Sequence, residues 1–135
     1  MIVNPAYMYM SKKKAAPRTL WENGTLNYQY SIESGRVTFN STRNYLELTA
    51  IGVALFQNIP VNAGDTVTAV FRRPYNTDYS QGVFEFVNAA GGALFSQQVE
   101  VLSATKTVSF SVPQGTTGIR LRGPNLTVFV NSVSW

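Results

Sequence analysis

Residues 83–101 read VFEFVNAAGGALFSQQVEV. Val83–Val87 and Ala93–Val101 are short runs rich in β-formers, and Asn88-Ala89-Ala90-Gly91-Gly92 between them supplies turn chemistry. Together they predict a β-hairpin. The same two-residue period continues on both sides. Upstream, Thr66–Arg73 puts Val67, Ala69 and Phe71 on one face, after a loop over 59–65. Downstream, Val108, Phe110 and Val112 alternate with Ser109 and Ser111. Ile119 and Leu121 then alternate with Arg120 and Arg122, and Gly123-Pro124-Asn125 turns into a last strand, Leu126–Trp135. Nearer the N-terminus, Leu26, Tyr28, Tyr30 and Ile32 alternate with polar residues. Ser34-Gly35 predicts a hairpin turn leading to Val37 and Phe39. Leu46, Leu48 and Ala50 form the next strand, and a separate short strand follows Gly52 near Val53–Phe56. No window of ten residues carries the 3.6-residue period of a helix. About nine short strands punctuated by Gly, Pro and Asn predict an all-β, antiparallel β-sandwich over residues 25–135. Parity predicts that Val67, Phe71, Phe110, Val112, Ile119 and Leu121 are buried, with Arg120 and Arg122 outside.

The chain has 135 residues, enough for one ordinary domain, and contains neither Cys nor His. Those two absences remove disulfides, thiolate zinc sites, the Cys nucleophile, and the commonest metal ligand and general base. Eleven basic and seven acidic residues give a net charge of +4. Lys12, Lys13, Lys14 and Arg18 account for all of the excess, so residues 19–135 balance to zero. A basic body directed at nucleic acid is therefore not expected, despite the outward parity of Arg72, Arg120 and Arg122.

Residues 1–24 lack the alternation and read as an extended N-terminal arm with prolines at 5 and 17. Ile2, Val3, Tyr7, Met8, Tyr9 and Met10 are too apolar for a solvated tail, and Tyr and Met are favoured at interfaces. Tyr7, Met8, Tyr9, Met10, Lys12, Lys13 and Lys14 are thus the expected assembly contacts. The apolar residues precede the lysines, the reverse of a secretory signal, and no run is long enough to span a bilayer. Manufacture in a host cytoplasm without secretion or membrane attachment is the expectation. The Asn-x-Ser/Thr tripeptides at Asn23, Asn40 and Asn125 are read as chance.

Three stretches carry a family likeness: IPVNAGDTVTAVFRR (59–73), TVSFSVPQGTTGIRLRG (107–123) and TVFVNSVSW (127–135). A Pro…Ala-Gly-Asp loop precedes a central strand, a VPxGxxxIRLR pair follows, and a Val/Phe-alternating strand closes the sheet. This pattern resembles the galactose-binding-like and carbohydrate-binding-module jelly rolls. Small jelly rolls of this kind also look like domains of bacteriophage tail and capsid-decorating proteins. The resemblance implies a jelly-roll-like sandwich. For function it implies a non-enzymatic structural protein at the surface of a phage virion, most simply a capsid decoration or cement protein. Such a protein would be held by its arm to the major capsid or another virion protein. It would self-associate, as a trimer by analogy or else a dimer. The alternative reading is a carbohydrate-binding module in a tail or baseplate receptor-binding role.

Candidate chemistry is sparse. A glycosidase needs two carboxylates facing each other about 5–10 Å apart. Glu47, Glu85 and Glu100 sit at polar strand positions and read as solvated strand faces. No enzyme activity, cofactor or metal is expected. Carbohydrate modules stack pyranose faces on exposed Tyr or Trp, with amides and guanidinium groups taking the hydroxyls. Tyr75 and Tyr79, in the loop with Asn76, Asp78 and Gln81, form the foremost group of candidate glycan contacts. Trp21 and Tyr45 come behind them. Trp135 is expected to anchor the closing strand in the core or at a subunit contact.

Overall fold

The computed structural model describes residues 15–135. The expected assembly contacts Tyr7, Met8, Tyr9, Met10, Lys12, Lys13 and Lys14 lie outside the described residues. Among those described, every regular element is a strand: β1 (Trp21–Glu22), β2 (Thr25–Leu26), β3 (Ser31–Asn40), β4 (Tyr45–Gln57), β5 (Thr66–Arg72), β6 (Ser80–Val87), β7 (Ala93–Val101), β8 (Thr105–Ser111), β9 (Gly118–Arg122) and β10 (Val128–Ser134). No helix of the described residues is long and apolar enough to cross a membrane. All pairings are antiparallel. The all-β expectation holds.

One strand makes the two layers. The first part of β4 pairs with β10 (Leu46 with Val130, Leu48 with Val128), whereas its second part pairs with β9 (Val53 with Arg122, Gln57 with Gly118). The hydrogen-bonded ladder β7-β6-β9-β4-β10-β5-β8 therefore folds over on itself at β4, with β3 following β4 on its free side. The fold-over has a backbone cause. Gly35 on β3 and Ala50 and Ile51 on β4 adopt left-handed φ of 64°, 51° and 63°, and the β3–β4 register slips at the same place. A Cβ on Gly35 would stand 2.5 Å from the Ala50 carbonyl oxygen. Such bulges bend a strand pair and sharpen its twist. The expected turn at Ser34-Gly35 is thus a bulge inside a continuous strand. The expected break before Val53 is its partner on the facing strand. A left-handed glycine suits a tight turn and a bulge equally, so the local pattern cannot separate them.

The inward rows meet as parity predicts for Val67, Phe71, Val112, Ile119 and Leu121, which are buried with Leu46, Leu48, Phe56, Phe84, Phe86 and Val130. Phe110 differs, being only half-buried. β7 and β8 are the ends of the ladder, and Phe110 closes the seam between them, 4.9 Å from the ring of Phe95 and 5.1 Å from that of Phe84.

The sandwich also reaches back into the expected arm. Thr19 bridges Ser134, and the Leu20 and Trp135 amides donate to Val133 and Arg18 carbonyls. Leu20 is fully buried, as is Trp21 at 1% exposure, its ring beside Phe39 and Phe56. Strands of two residues are too short to show a period. The readable signal was Asn23-Gly24, whose φ of 51° and 76° make a tight β1–β2 turn with Trp21 opposite Leu26. Trp135 is half-buried against the core cluster, 6.0 Å from the Tyr28 ring.

Candidate functional site

Because β4 crosses between layers in mid-strand, the chain's other crossings line up beside its bend. Residues 123–127 carry the chain from β9 to β10, and the Gly123 amide donates to the Gly52 carbonyl at the bend (2.9 Å). Residues 73–79 link β5 to β6, and residues 102–104 link β7 to β8. The three connections are stitched into one rim. The Arg73 amide donates to the Ala104 carbonyl (3.2 Å), and Arg73 Nη1 donates to the carbonyls of Asp78 (2.8 Å) and Leu102 (3.0 Å). On the other flank Ser80 Oγ donates to the Thr127 carbonyl (2.6 Å), and Asn125 Nδ2 donates to Gln81 Oε1 (3.4 Å). Thr77 closes the tip, its amide and hydroxyl both donating to the Pro74 carbonyl. Loops carry sites when a rigid scaffold fixes them, and this rim is so fixed.

Pro74 divides the rim into two clefts. One, of about 180 Å³, is lined by Arg72, Arg73, Pro74, Tyr75 and Ala104. The other, of about 360 Å³, is lined by Pro74, Thr77, Tyr79, Leu126 and Thr127. The expected group is therefore split. Tyr75, 76% exposed, belongs to the first cleft, whereas half-buried Tyr79 belongs to the second. Asn76 and Asp78 are exposed in the loop between them, and Gln81 lies on β6 facing Glu100 of β7. Trp21 and Tyr45 are both buried and present no free ring face.

The residue that organises the first cleft is Arg72. At the outward end of β5, its guanidinium carbon lies 4.5 Å from the centre of the Tyr75 ring, 5.5 Å from Tyr45 and 5.6 Å from Phe129. Tyr45 and Phe129 stack on each other at 4.5 Å and 14°. Rings at these distances attract a cation through their quadrupoles, each by about 0.5–1 kcal/mol at exposed sites and more when desolvated. The ring faces offer no lone-pair acceptor, however, and Arg72 Nη2 is buried without a hydrogen-bond partner among the described residues. Arg72, Leu126 and Thr127 were not among the expected glycan contacts. The readable signal for the first was Arg72-Arg73-Pro74-Tyr75, a cation and an aromatic joined by a rigid turn.

The outward face of the other layer corrects two expectations. Glu85 is not a solvated strand residue but is 5% exposed. Arg120 is not a solvated outward arginine. Its side chain is 14% exposed, with Nε donating to Glu33 (2.6 Å), Nη1 to Glu85 (3.2 Å) and Nη2 to the Gly91 carbonyl (2.7 Å). Arg122 stands 3.8 Å from the same Glu85. The hydrogen-bonded Glu33 carboxylate, together with Glu85, pushes the Arg120 guanidinium above its ordinary pKa. Arg120 occupies the position directly across from both Glu85 on β6 and Leu55 on β4, where the parity rule sees only "outward". Glu47 lies on the opposite layer, its Oε2 accepting from Thr49, and Glu100 is exposed on β7. The three strand glutamates are thereby spread over two outer faces. Among the described residues, no group of three His, Cys, Asp or Glu is placed to hold a metal ion.

No family model matches the chain, and no curated protein sequence matches it. Solved structures do. The structure described as BiXyn10A CBM1 in its apo form is 15% identical, covering 84% of this chain and 93% of its own, with a TM-score of 0.59. The lectin domain of lectinolysin, complexed with Lewis B antigen, is 13% identical over 84% of this chain and 94% of its own, with a TM-score of 0.56. At such identities the likeness is one of fold. These two neighbours are a carbohydrate-binding module and a lectin domain, in keeping with the jelly-roll resemblance carried by residues 59–73, 107–123 and 127–135.

Proposed function

We propose that this protein is a non-catalytic glycan-binding module that takes saccharide on the rim formed by residues 72–81, 102–104 and 123–127. The observation that carries this reading is the Tyr75 ring, held over the Arg72 guanidinium at 4.5 Å yet 76% exposed, with a cleft on either side of Pro74. A sugar ring has an apolar C–H face and a polar edge, which asks for an aromatic shelf bordered by donors and acceptors. Tyr75 is the shelf. Arg72 borders it, Asn76 and Asp78 are exposed further along the loop, and Tyr79, Leu126 and Thr127 provide a second, less polar surface for an adjoining unit. The neighbours BiXyn10A CBM1 and the lectinolysin lectin domain support the reading by sharing the sandwich.

The wider setting follows the sequence resemblance: a tail or baseplate position on a phage particle, where glycan binding would serve receptor recognition. The capsid-decoration role draws on the basic arm and gains nothing from this rim. A glycan array probed with the full chain tests the proposal. Selective binding that Tyr75→Ala abolishes, with the thermal midpoint unchanged, supports it. Binding indifferent to Tyr75→Ala, or none across neutral and charged glycans, rejects it.

A further inference from the structure

We infer that the glycan taken at this rim is anionic, its carboxylate or sulfate group seated between Arg72 and Arg73. The inference rests on the glycan-binding reading and specifies its ligand. The smaller cleft is lined by Arg72 and Arg73 and by no acidic residue. The ion pairs among the described residues all belong to Arg120 and Arg122, and Arg18, Arg36 and Arg43, which have none, are exposed to water. Arg72 and Arg73, both partly buried, have none. Charges drawn out of water are ordinarily paired, because desolvation disfavours the ion.

The donor set points the same way. A sugar hydroxyl both donates and accepts, so sites for neutral sugars combine donors with carboxylate or amide acceptors. Arginine offers five N–H donors and no acceptor. The residues that line this cleft are two arginines with Pro74, Tyr75 and Ala104. The group that fits two donor-only forks accepts only, which is an ionised carboxylate or a sulfate ester. Arg73 is already aimed, since Nη1 is fixed by the Asp78 and Leu102 carbonyls while its other guanidinium N–H groups make no hydrogen bond among the described residues. Arg72 is held by three ring faces that position its charge without neutralising it. Charge-assisted contacts of this kind are about twice as strong as neutral ones. At about 180 Å³ the cleft is small beside the roughly 300–1,000 Å³ of drug-sized ligand sites, so it suits one charged sugar unit rather than a chain. The charge-free cleft beyond Pro74 would take the next unit.

The test uses the full chain in affinity electrophoresis and calorimetry at about 0.15 M salt, where long-range attraction between charges is screened beyond about 8 Å. Polygalacturonate is compared with its fully methyl-esterified form, and dextran sulfate with dextran; the two pairs separate carboxylate from sulfate as the source of charge. The expected result is at least tenfold tighter binding to one charged polymer than to its neutral counterpart. Arg72→Gln and Tyr75→Ala should each lose that preference, while the Lys12→Gln/Lys13→Gln/Lys14→Gln triple variant keeps it. Tyr75→Ala guards against misfolding, because the side chain is mostly outside the packed body. Equal binding of neutral and charged polymers, still sensitive to Tyr75→Ala, overturns the anionic inference and leaves the glycan reading standing. No binding to any polymer overturns both. Charged-polymer binding that survives Arg72→Gln but is lost in the triple lysine variant overturns the inference in favour of the basic arm. Tighter binding of a single-stranded oligonucleotide, lost in Arg72→Gln, also overturns it.

Discussion

Arg72 and Arg120 stand on the outward faces of the two layers, Arg72 on β5 beside the edge strand β8 and Arg120 on β9 between β6 and β4, and each is partly buried. Arg120 is enclosed by oxygens: Glu33, Glu85 and the Gly91 carbonyl take all three of its nitrogens. Arg72 is enclosed by carbon: the rings of Tyr45, Tyr75 and Phe129 lie against its guanidinium, and no carboxylate among the described residues pairs with it. Both are equally "polar, outward" on a strand. What separates them is the chemistry of the opposite residue on the neighbouring strands, Glu85 for Arg120 and Phe129 for Arg72. The first arrangement locks three pieces of backbone together. The second keeps a cation in place with its charge available.

The largest effect is expected where the lock is broken. Arg120→Ala leaves Glu85 buried with only Arg122 near it, and removing one partner of a buried pair costs about 3–5 kcal/mol. Arg122 remains at 3.8 Å, so the loss should fall near 3 kcal/mol in urea unfolding. Replacing both members with apolar residues of similar volume, Arg120→Met with Glu85→Leu, should recover most of that loss, since the pair's attraction is offset by its desolvation. A double variant no more stable than Arg120→Ala would show that the network is not a closed unit, and the contrast with Arg72 would weaken.

Arg72 should matter less to stability. Arg72→Met keeps the stem that packs beside Phe129 and Tyr45 but removes the cation, for a loss of about 1–2 kcal/mol from the ring contacts. Arg72→Lys should not restore it fully, because a compact ammonium cannot stack as a plane does. A loss of 3 kcal/mol or more in Arg72→Met would mean that the ring cage is as structural as the carboxylate network.

How far the sequence showed this depends on range. Val67, Phe71, Ile119 and Leu121 were legible because a strand's inward face is written at every second residue. The Tyr75–Tyr79 loop was legible as an aromatic, polar interruption between two strands. The bulge at Gly35 and Ile51 was not, since a left-handed glycine means a turn or a bulge according to a partner strand some fifteen residues away. Nor was Trp21, whose burial depends on Phe39, Phe56 and the Asn131 carbonyl that accepts from its indole N–H. Glu85 and Arg120 are separated by 35 positions and meet only because β6 and β9 are neighbours. Local pattern gives the face of a residue; who stands opposite is settled by topology.

The smallest stability effect is expected at Tyr75, and there the contrast between the two arginines is sharpest. The ring is 76% exposed, and its one described aromatic or cationic neighbour is Arg72. An exposed cation–π contact contributes about 0.5–1 kcal/mol, and truncation of an exposed side chain elsewhere usually falls within about 0.5 kcal/mol. Tyr75→Ala should therefore unfold within about 1 kcal/mol of the parent chain, and the Tyr45–Phe129 stack should remain beneath Arg72. Binding of a charged glycan should nevertheless fall by tenfold or more, because the shelf for the sugar's apolar face is gone. Tyr75→Phe, which keeps the shelf and the ring quadrupole, should bind within a few-fold of the parent. If Tyr75→Ala costs stability and leaves glycan binding intact, then Tyr75 is a cover for Arg72 rather than a surface for ligand. The aromatic cage would then be a structural solution like the carboxylate one.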